Sequence, residues 1–271
     1  MRFRRKQGRR GDPERRGNGD TDVIKKPEIR SYSSLRELSL AAAAFIAELA
    51  EARIKERGIF TFVLSGGTTP RSLYEELAKE PYASRVDWQH THLFWGDERC
   101  VPADNPDSNF SLALQTLISK VDVPPSNIHR IPAATGSPKP VAAEYETTLR
   151  EFFQATAGSD PSTSFPSFDL VLLGIGGDGH TASLFPGDAA LEERTSWVVA
   201  VEGSSASPPV PRITLTFPVI NEAKCVLFLA SGSNKLKILQ EILNNPHTAI
   251  YPAAQVRPAG KLLWFIDEGL A

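Results

Sequence analysis

The order of apolar runs and helical stripes predicts an α/β protein built as a single doubly wound, mostly parallel sheet flanked by helices. Three observations carry that expectation. Short runs at 59–64, 170–173 and 225–229 are apolar along their whole length, as strands covered on both faces must be. Each runs into a Gly/Ser-rich loop, at 65–70, 174–179 and 231–235, where open α/β sheets place their ligands. Between them lie segments with helical spacing, and there is no internal repeat. At 271 residues, 41% hydrophobic and 23% charged, the chain is long enough for one large domain with a substantial core.

Residues 1–30 are Arg/Gly-rich and have no apolar stretch, so they read as a disordered basic extension, with residues 31–271 as the single α/β domain. An h-region is missing, which argues against a secretory signal, and Asp12, Glu14, Asp20 and Asp22 argue against a transit peptide. An electrostatic tail and a start codon placed too far upstream are the readings left. Order is expected from Ser34, which forms a capping box with Glu37 ahead of the stripe Leu35, Leu38, Ala42, Phe45, Ile46 and Leu49; Gly58 closes this helix. The strand at 59–64 enters Ser65-Gly66-Gly67-Thr68-Thr69-Pro70, and the stripe Leu73, Tyr74, Leu77 follows. Free amides and hydroxyls at a helix start make a phosphate seat, or else a plain tight turn; no G-K-[ST] follows, so it is not a Walker loop.

A strand at 92–95 leads to Gly96-Asp97-Glu98-Arg99-Cys100-Val101-Pro102. Asp97, Glu98 and Arg99 there are either ligand-facing or an ion pair fixing the loop. Ser108 is the expected N-cap of the next helix. A strand at 127–131, a helix at 141–153 and a Ser/Pro/Gly-rich loop at 157–167 precede the strand at 170–173. Strands at 197–201 and 212–216, a short helix from Pro218, a strand at 225–229, a helix to Leu243 and a strand at 261–266 complete the chain.

The loop after residue 173 reads Gly174-Ile175-Gly176-Gly177-Asp178-Gly179-His180-Thr181-Ala182-Ser183-Leu184-Phe185-Pro186-Gly187. Its glycines bare the backbone where a ligand would approach, and it offers one carboxylate and one imidazole, Asp178 and His180. Gly174, Gly176 and Gly179 also fit G-x-G-x-x-G, with Glu202 downstream, but Pro186-Gly187 would break the helix a dinucleotide site needs.

The net charge of −2 hides an asymmetry: residues 1–16 hold eight Arg/Lys and two acids, so the remaining 22 basic and 30 acidic residues form an acidic body. That is a poor surface for nucleic acid, and an anion would have to be held by a few placed cations and amides. No apolar run is long enough to span a membrane. Cys100 and Cys225 have no metal-ligand spacing and imply a reducing compartment. His90 and His92 share a strand face at i, i+2, with no third ligand nearby in sequence.

Together the segments 65–70, 97–102 with Ser108-Asn109, 174–187, Pro211-Arg212-Ile213-Thr214-Leu215-Thr216, and Pro252-Ala253-Ala254 with Trp264 resemble the 6-phosphogluconolactonases, within the superfamily that includes glucosamine-6-phosphate deaminase. The likeness runs from about Ile59 to the C-terminus. Asp178-Gly179-His180 is shared with the deaminases, whereas the continuation 181–187 is lactonase-like; Gly177 stands where an acidic residue is common. The resemblance implies a glucosamine-6-phosphate deaminase/ribose-5-phosphate isomerase-like fold. It also implies hydrolysis of 6-phospho-D-glucono-1,5-lactone to 6-phosphogluconate, the second step of the oxidative pentose phosphate pathway. A cytoplasmic monomer or weak homo-oligomer needing no cofactor and no metal is the expected form. By the same resemblance, Ser65, Gly66, Gly67, Thr68 and Thr69 with Arg212 and Lys235 would cage the phosphate, and His180, oriented by Asp178, would activate water. Amides of Gly176, Gly177 and Gly179, or Arg99, would face the oxyanion, with Asp97 and Glu98 also lining the substrate site. A deaminase-like isomerase and a non-catalytic sugar-phosphate sensor are the alternatives.

Overall fold

A computed structural model describes residues 27–133, 137–157, 165–202, 207–245 and 248–267. In chain order the elements are β1 (Glu28–Tyr32), α1 (Leu35–Arg57), β2 (Phe60–Leu64), α2 (Thr68–Leu77), α3 (Tyr82–Arg85), β3 (Thr91–Trp95), β4 (Asp97–Arg99), α4 (Asn109–Thr116) and β5 (Ile128–His129). They continue with α5 (Pro138–Ala157), β6 (Leu170–Leu173), β7 (Val198–Val201), β8 (Arg212–Leu215), α6 (Phe217–Asn221), β9 (Cys225–Ala230), α7 (Leu236–Asn244) and β10 (Lys261–Asp267).

Seven strands pair in the order β1-β10-β9-β6-β2-β3-β5, every pair parallel. β2, β6 and β9 are buried at every residue, which is why their sequences lack alternation. The register puts Val63, Phe94, Val171, Val226 and Leu262 in line, and His92, two residues before Phe94, and Trp264, two after Leu262, share their face; Phe62, Leu93, Leu170 and Phe265 belong to the other. Phe152 of α5 meets His92 and Phe94, while Phe45 of α1 meets Phe265, so the two long helices cover opposite faces. Phe228 and Trp264 stack at 3.9 Å in the core, where truncation to Ala would cost about 3–5 kcal/mol. The mostly parallel, doubly wound class expected from the sequence is what the chain adopts.

From β2 the chain moves through β3 to β5 on one side, then returns to β6 and proceeds through β9 to β10 on the other. The crevice between the carboxyl ends of β2 and β6 is therefore the topological switch point, where such sheets bind ligands.

Local signals hold with small shifts. Ser34 Oγ accepts the Glu37 amide at 3.3 Å, and the Glu37 carboxylate reaches back to the amide of Ser33, not Ser34. Gly58 closes α1 in the left-handed region at φ 82°.

Two expectations need correction. Residues 28–30, assigned to the disordered extension, form the start of β1, which pairs with β10 from Glu28↔Leu263 to Tyr32↔Asp267. The strand is mostly exposed, so it carries no apolar pattern to read; the rest of that extension, 1–26, lies outside the described residues. Not every strand joins the parallel sheet: β4, β8 and β7 form a separate antiparallel one. Its outer strand is covered by α5, whose Glu146 carboxylate accepts the amides of Trp197 and Val198 at 2.9 and 3.2 Å.

Candidate active site

β2 delivers its loop directly into α2. Gly67, at φ 105°, is the N-cap and provides no side-chain cap, so the first amides of α2 remain available. Tyr74, fully buried in the second turn of α2, fixes the loop entry: its hydroxyl accepts the Ser65 amide at 2.9 Å and donates to the Ser65 carbonyl at 2.6 Å. Burial, only partly offset by the Ser65 amide, pushes this phenol far above its usual pKa, so it stays protonated. At the end of β3, Tyr145 holds both backbone groups of Trp95 at 3.0 and 3.1 Å.

The turn after β6 is set by its own backbone. The Gly176 amide donates to the His180 carbonyl at 2.9 Å, and the Gly179 amide to the Gly176 carbonyl at 3.1 Å. Within it His180 Nδ1 lies 2.5 Å from Asp178 Oδ1, which also accepts the His180 amide at 3.1 Å. Burial alone would raise the Asp178 carboxyl, but the His180 amide and ring outweigh it and hold the pKa below the usual value. An ionised carboxylate only accepts, so Nδ1 carries the shared proton, which in a neutral ring leaves the lone pair on Nε2. The ring packs on Phe185 at 4.6 Å, and the Arg212 guanidinium lies over the same Phe185 at 5.6 Å. No helix of dinucleotide-binding type follows Gly179; residues 181–184 close a bridge in which Ala182 has φ 48°.

These loops enclose one cleft at the switch point. Ser65, Gly66, Gly67, Thr68, Thr69, Asp97, Arg99, Gly176, His180, Arg212 and Lys235 all line it. Arg99 and Arg212 are register partners across β4 and β8, so two guanidiniums enter side by side. Neither they nor Lys235 forms an ion pair among the described residues, and the Nε atoms of both arginines are buried without a hydrogen-bond partner. Burial lowers the pKa of Arg212 and of Lys235. One buried and two half-buried cations, the arginines with spare donors, make an anion seat in the same cleft as the histidine.

Glu98, Gly177, Asp178 and Gly179 do not line the cleft. Glu98 is 2% exposed, and its oxygens accept the amides of Arg99, Asn109 and Phe110 and the Ser108 hydroxyl. Burial raises its pKa, and it serves the start of α4 rather than the cleft. Gly177 is exposed, Gly179 lies under Tyr251, and Asp178 bonds the His180 ring without lining the cleft itself. Sequence reasoning left Asn109 without a role. Its side chain bonds the Arg99 guanidinium and the Asp97 carbonyl, the latter at 2.8 Å, and a β-carbon at Gly66 would come within 1.8 Å of its Oδ1. Asp97 in turn accepts the Ser183 hydroxyl at 2.6 Å. Among the described residues no group of three or more His, Cys, Asp or Glu could hold a metal.

The family model for glucosamine-6-phosphate isomerases/6-phosphogluconolactonase matches residues 33–264. The chain belongs to this family. It is 41% identical over 244 residues to 6-phosphogluconolactonase 3, chloroplastic, of Arabidopsis thaliana, covering 90% of this chain and 74% of that one. With 6-phosphogluconolactonase of Synechocystis it shares 44% over 218 residues, covering 79% and 85%. The solved 6-phosphogluconolactonase from Trypanosoma cruzi superposes with a TM-score of 0.80 at 32% identity, covering 91% and 96%. A monomeric glucosamine-6-phosphate deaminase shares the fold alone, with a TM-score of 0.73 at 21% identity, covering 90% and 98%.

Proposed function

We propose that this protein is a 6-phosphogluconolactonase, hydrolysing 6-phospho-D-glucono-1,5-lactone to 6-phosphogluconate in the oxidative pentose phosphate pathway. The observation that carries the reading is the Asp178–His180 pair whose ring shares the switch-point cleft with a seat of α2 amides and three cations without carboxylate partners. Relatives named as lactonases at 37–44% identity support it over a deaminase, whose likeness stops at the fold.

In this reading Arg212, Lys235 and the 65–69 loop hold the 6-phosphate, which places the lactone carbonyl near His180. His180 Nε2 takes a proton from water as its oxygen attacks C1, and Asp178 stabilises the imidazolium that forms. Arg99, whose Nε is buried without a partner, faces the oxyanion; the Gly176 amide is taken by the His180 carbonyl. On collapse the C1 to ring-oxygen bond breaks, and the imidazolium returns its proton to the ring oxygen as it becomes a hydroxyl. The residues from β1 to β10 act as one domain, and the buried thiols Cys100 and Cys225 fit the reducing cytoplasm.

Stopped-flow lactone opening, corrected for the spontaneous rate at each pH, tests the assignment. His180→Asn should lower kcat by roughly 10²–10⁴-fold with little change in substrate binding. Near-normal kcat in a folded variant would return His180 to a structural role.

A further inference from the structure

Pro252-Ala253-Ala254, part of the family likeness, has no role in the chemistry above, yet its neighbourhood touches the histidine turn. The Ala253 amide donates to the Gly179 carbonyl at 3.0 Å. Tyr251 lies flat against Gly179, where a β-carbon would come within 2.5 Å of the ring. Gly179, at φ 81°, is the residue between Asp178 and His180. The far end of Tyr251 reaches another element: its hydroxyl donates to Glu241 Oε2 in α7. Glu241 is otherwise engaged only by Lys237 at 4.0 Å among its described side-chain contacts. α7 begins directly after Lys235, which lines the cleft on its cationic side.

We propose that the Tyr251–Glu241 bond is a positioning strut that ties the phosphate-side helix α7 to the His180 turn. A ring alone would fill the space over Gly179. A phenol donating to a carboxylate adds direction, fixing where α7 stands relative to residues 178–180. When phosphate engages Lys235 it orders the start of α7, and the strut carries that order to the backbone bearing His180. Small errors at a reacting centre cost large factors in rate, so this coupling acts on kcat and belongs to the phosphorylated substrate. The inference rests on the site reading above.

The test uses the full chain with Tyr251→Phe, Glu241→Ala and their double variant, assayed on 6-phosphogluconolactone and on unphosphorylated gluconolactone. Each single change should lower kcat on the phosphorylated lactone by about 5- to 20-fold, with KM moving less than about twofold. The ratio of kcat on the two lactones should fall with it. The double variant should be no worse than either single one, and Glu241→Gln, which keeps an acceptor, should recover most of the loss. A kcat within about twofold of the parent, an equal fall on both lactones, or additive losses would overturn the strut. If His180→Asn is inactive while Tyr251→Phe is silent, the strut alone fails; if His180→Asn is active, the site reading fails first. Should Tyr251→Phe not fold, Glu241→Ala and Glu241→Gln carry the same comparison.

Discussion

A β-carbon at position 176 would come within 2.1 Å of the His180 ring atoms Cε1 and Nδ1, so Gly176→Ala must push the ring off Asp178. Because the displaced group is a partly exposed side chain, kcat should drop about tenfold or more while the melting temperature changes little; stopped flow and calorimetry on one sample check both. Arg212 is 3% exposed, with Nη2 on the carbonyls of Ser207 and Pro208 and Nε unpartnered. Arg212→Ala should raise KM for the phosphorylated lactone by about 1.5–3 kcal/mol equivalent and matter far less for the unphosphorylated one. An equal loss on both would move Arg212 to the carbonyl. His180, Asp178 and the cations were legible because their chemistry is written in the residue type. Asn109, Phe185 and Tyr251 were not, since each works through a neighbour that only folding brings near.

At the sheet edge, β3 and β5 bring His92 Nδ1 and His129 Nε2 to 3.1 Å, stacked among Phe94 and Phe152. Only one proton can sit between the two nitrogens. Burial, then the neighbouring His92, lowers the His129 pKa to about 4; burial, then His90, lowers that of His92. The nearby His90 is itself on Asp87 at 2.7 Å. The unfolded chain binds these protons near pH 6.5 and the folded one does not, so the stability is fully present above that value. It is lost as pH falls towards 4, by at most about 1.4 kcal/mol per pH unit for each proton. Urea midpoints between pH 7 and 4.5 should show the slope, and His129→Phe should flatten it. Periodicity could mark His92 and the strand it sits on, because apolar runs announce burial. It could not assign β7 and β8 to a second sheet: alternation gives a strand its faces, never its partners.

For the whole molecule the question is where the folded body starts. A chain beginning at Lys26 keeps β1, and should keep its melting temperature and specific activity. One beginning at Ser34 loses five paired residues and the Tyr32 and Arg30 contacts with Phe265, and should melt several degrees lower. If the two melt alike, β1 contributes nothing. The boundary at residue 30 was misplaced because an exposed strand held by backbone bonds has the composition of a tail.

Among the described strands β1 comes earliest in the chain and β10 latest, yet they are neighbours. Until residues 261–267 are made, β9, paired with β6 on one side, leaves its other edge open along six apolar, normally buried residues, Cys225–Ala230. Such an edge recruits other chains. A chain cut short before Lys261 should therefore aggregate rather than merely melt lower, which sedimentation of the truncated product checks.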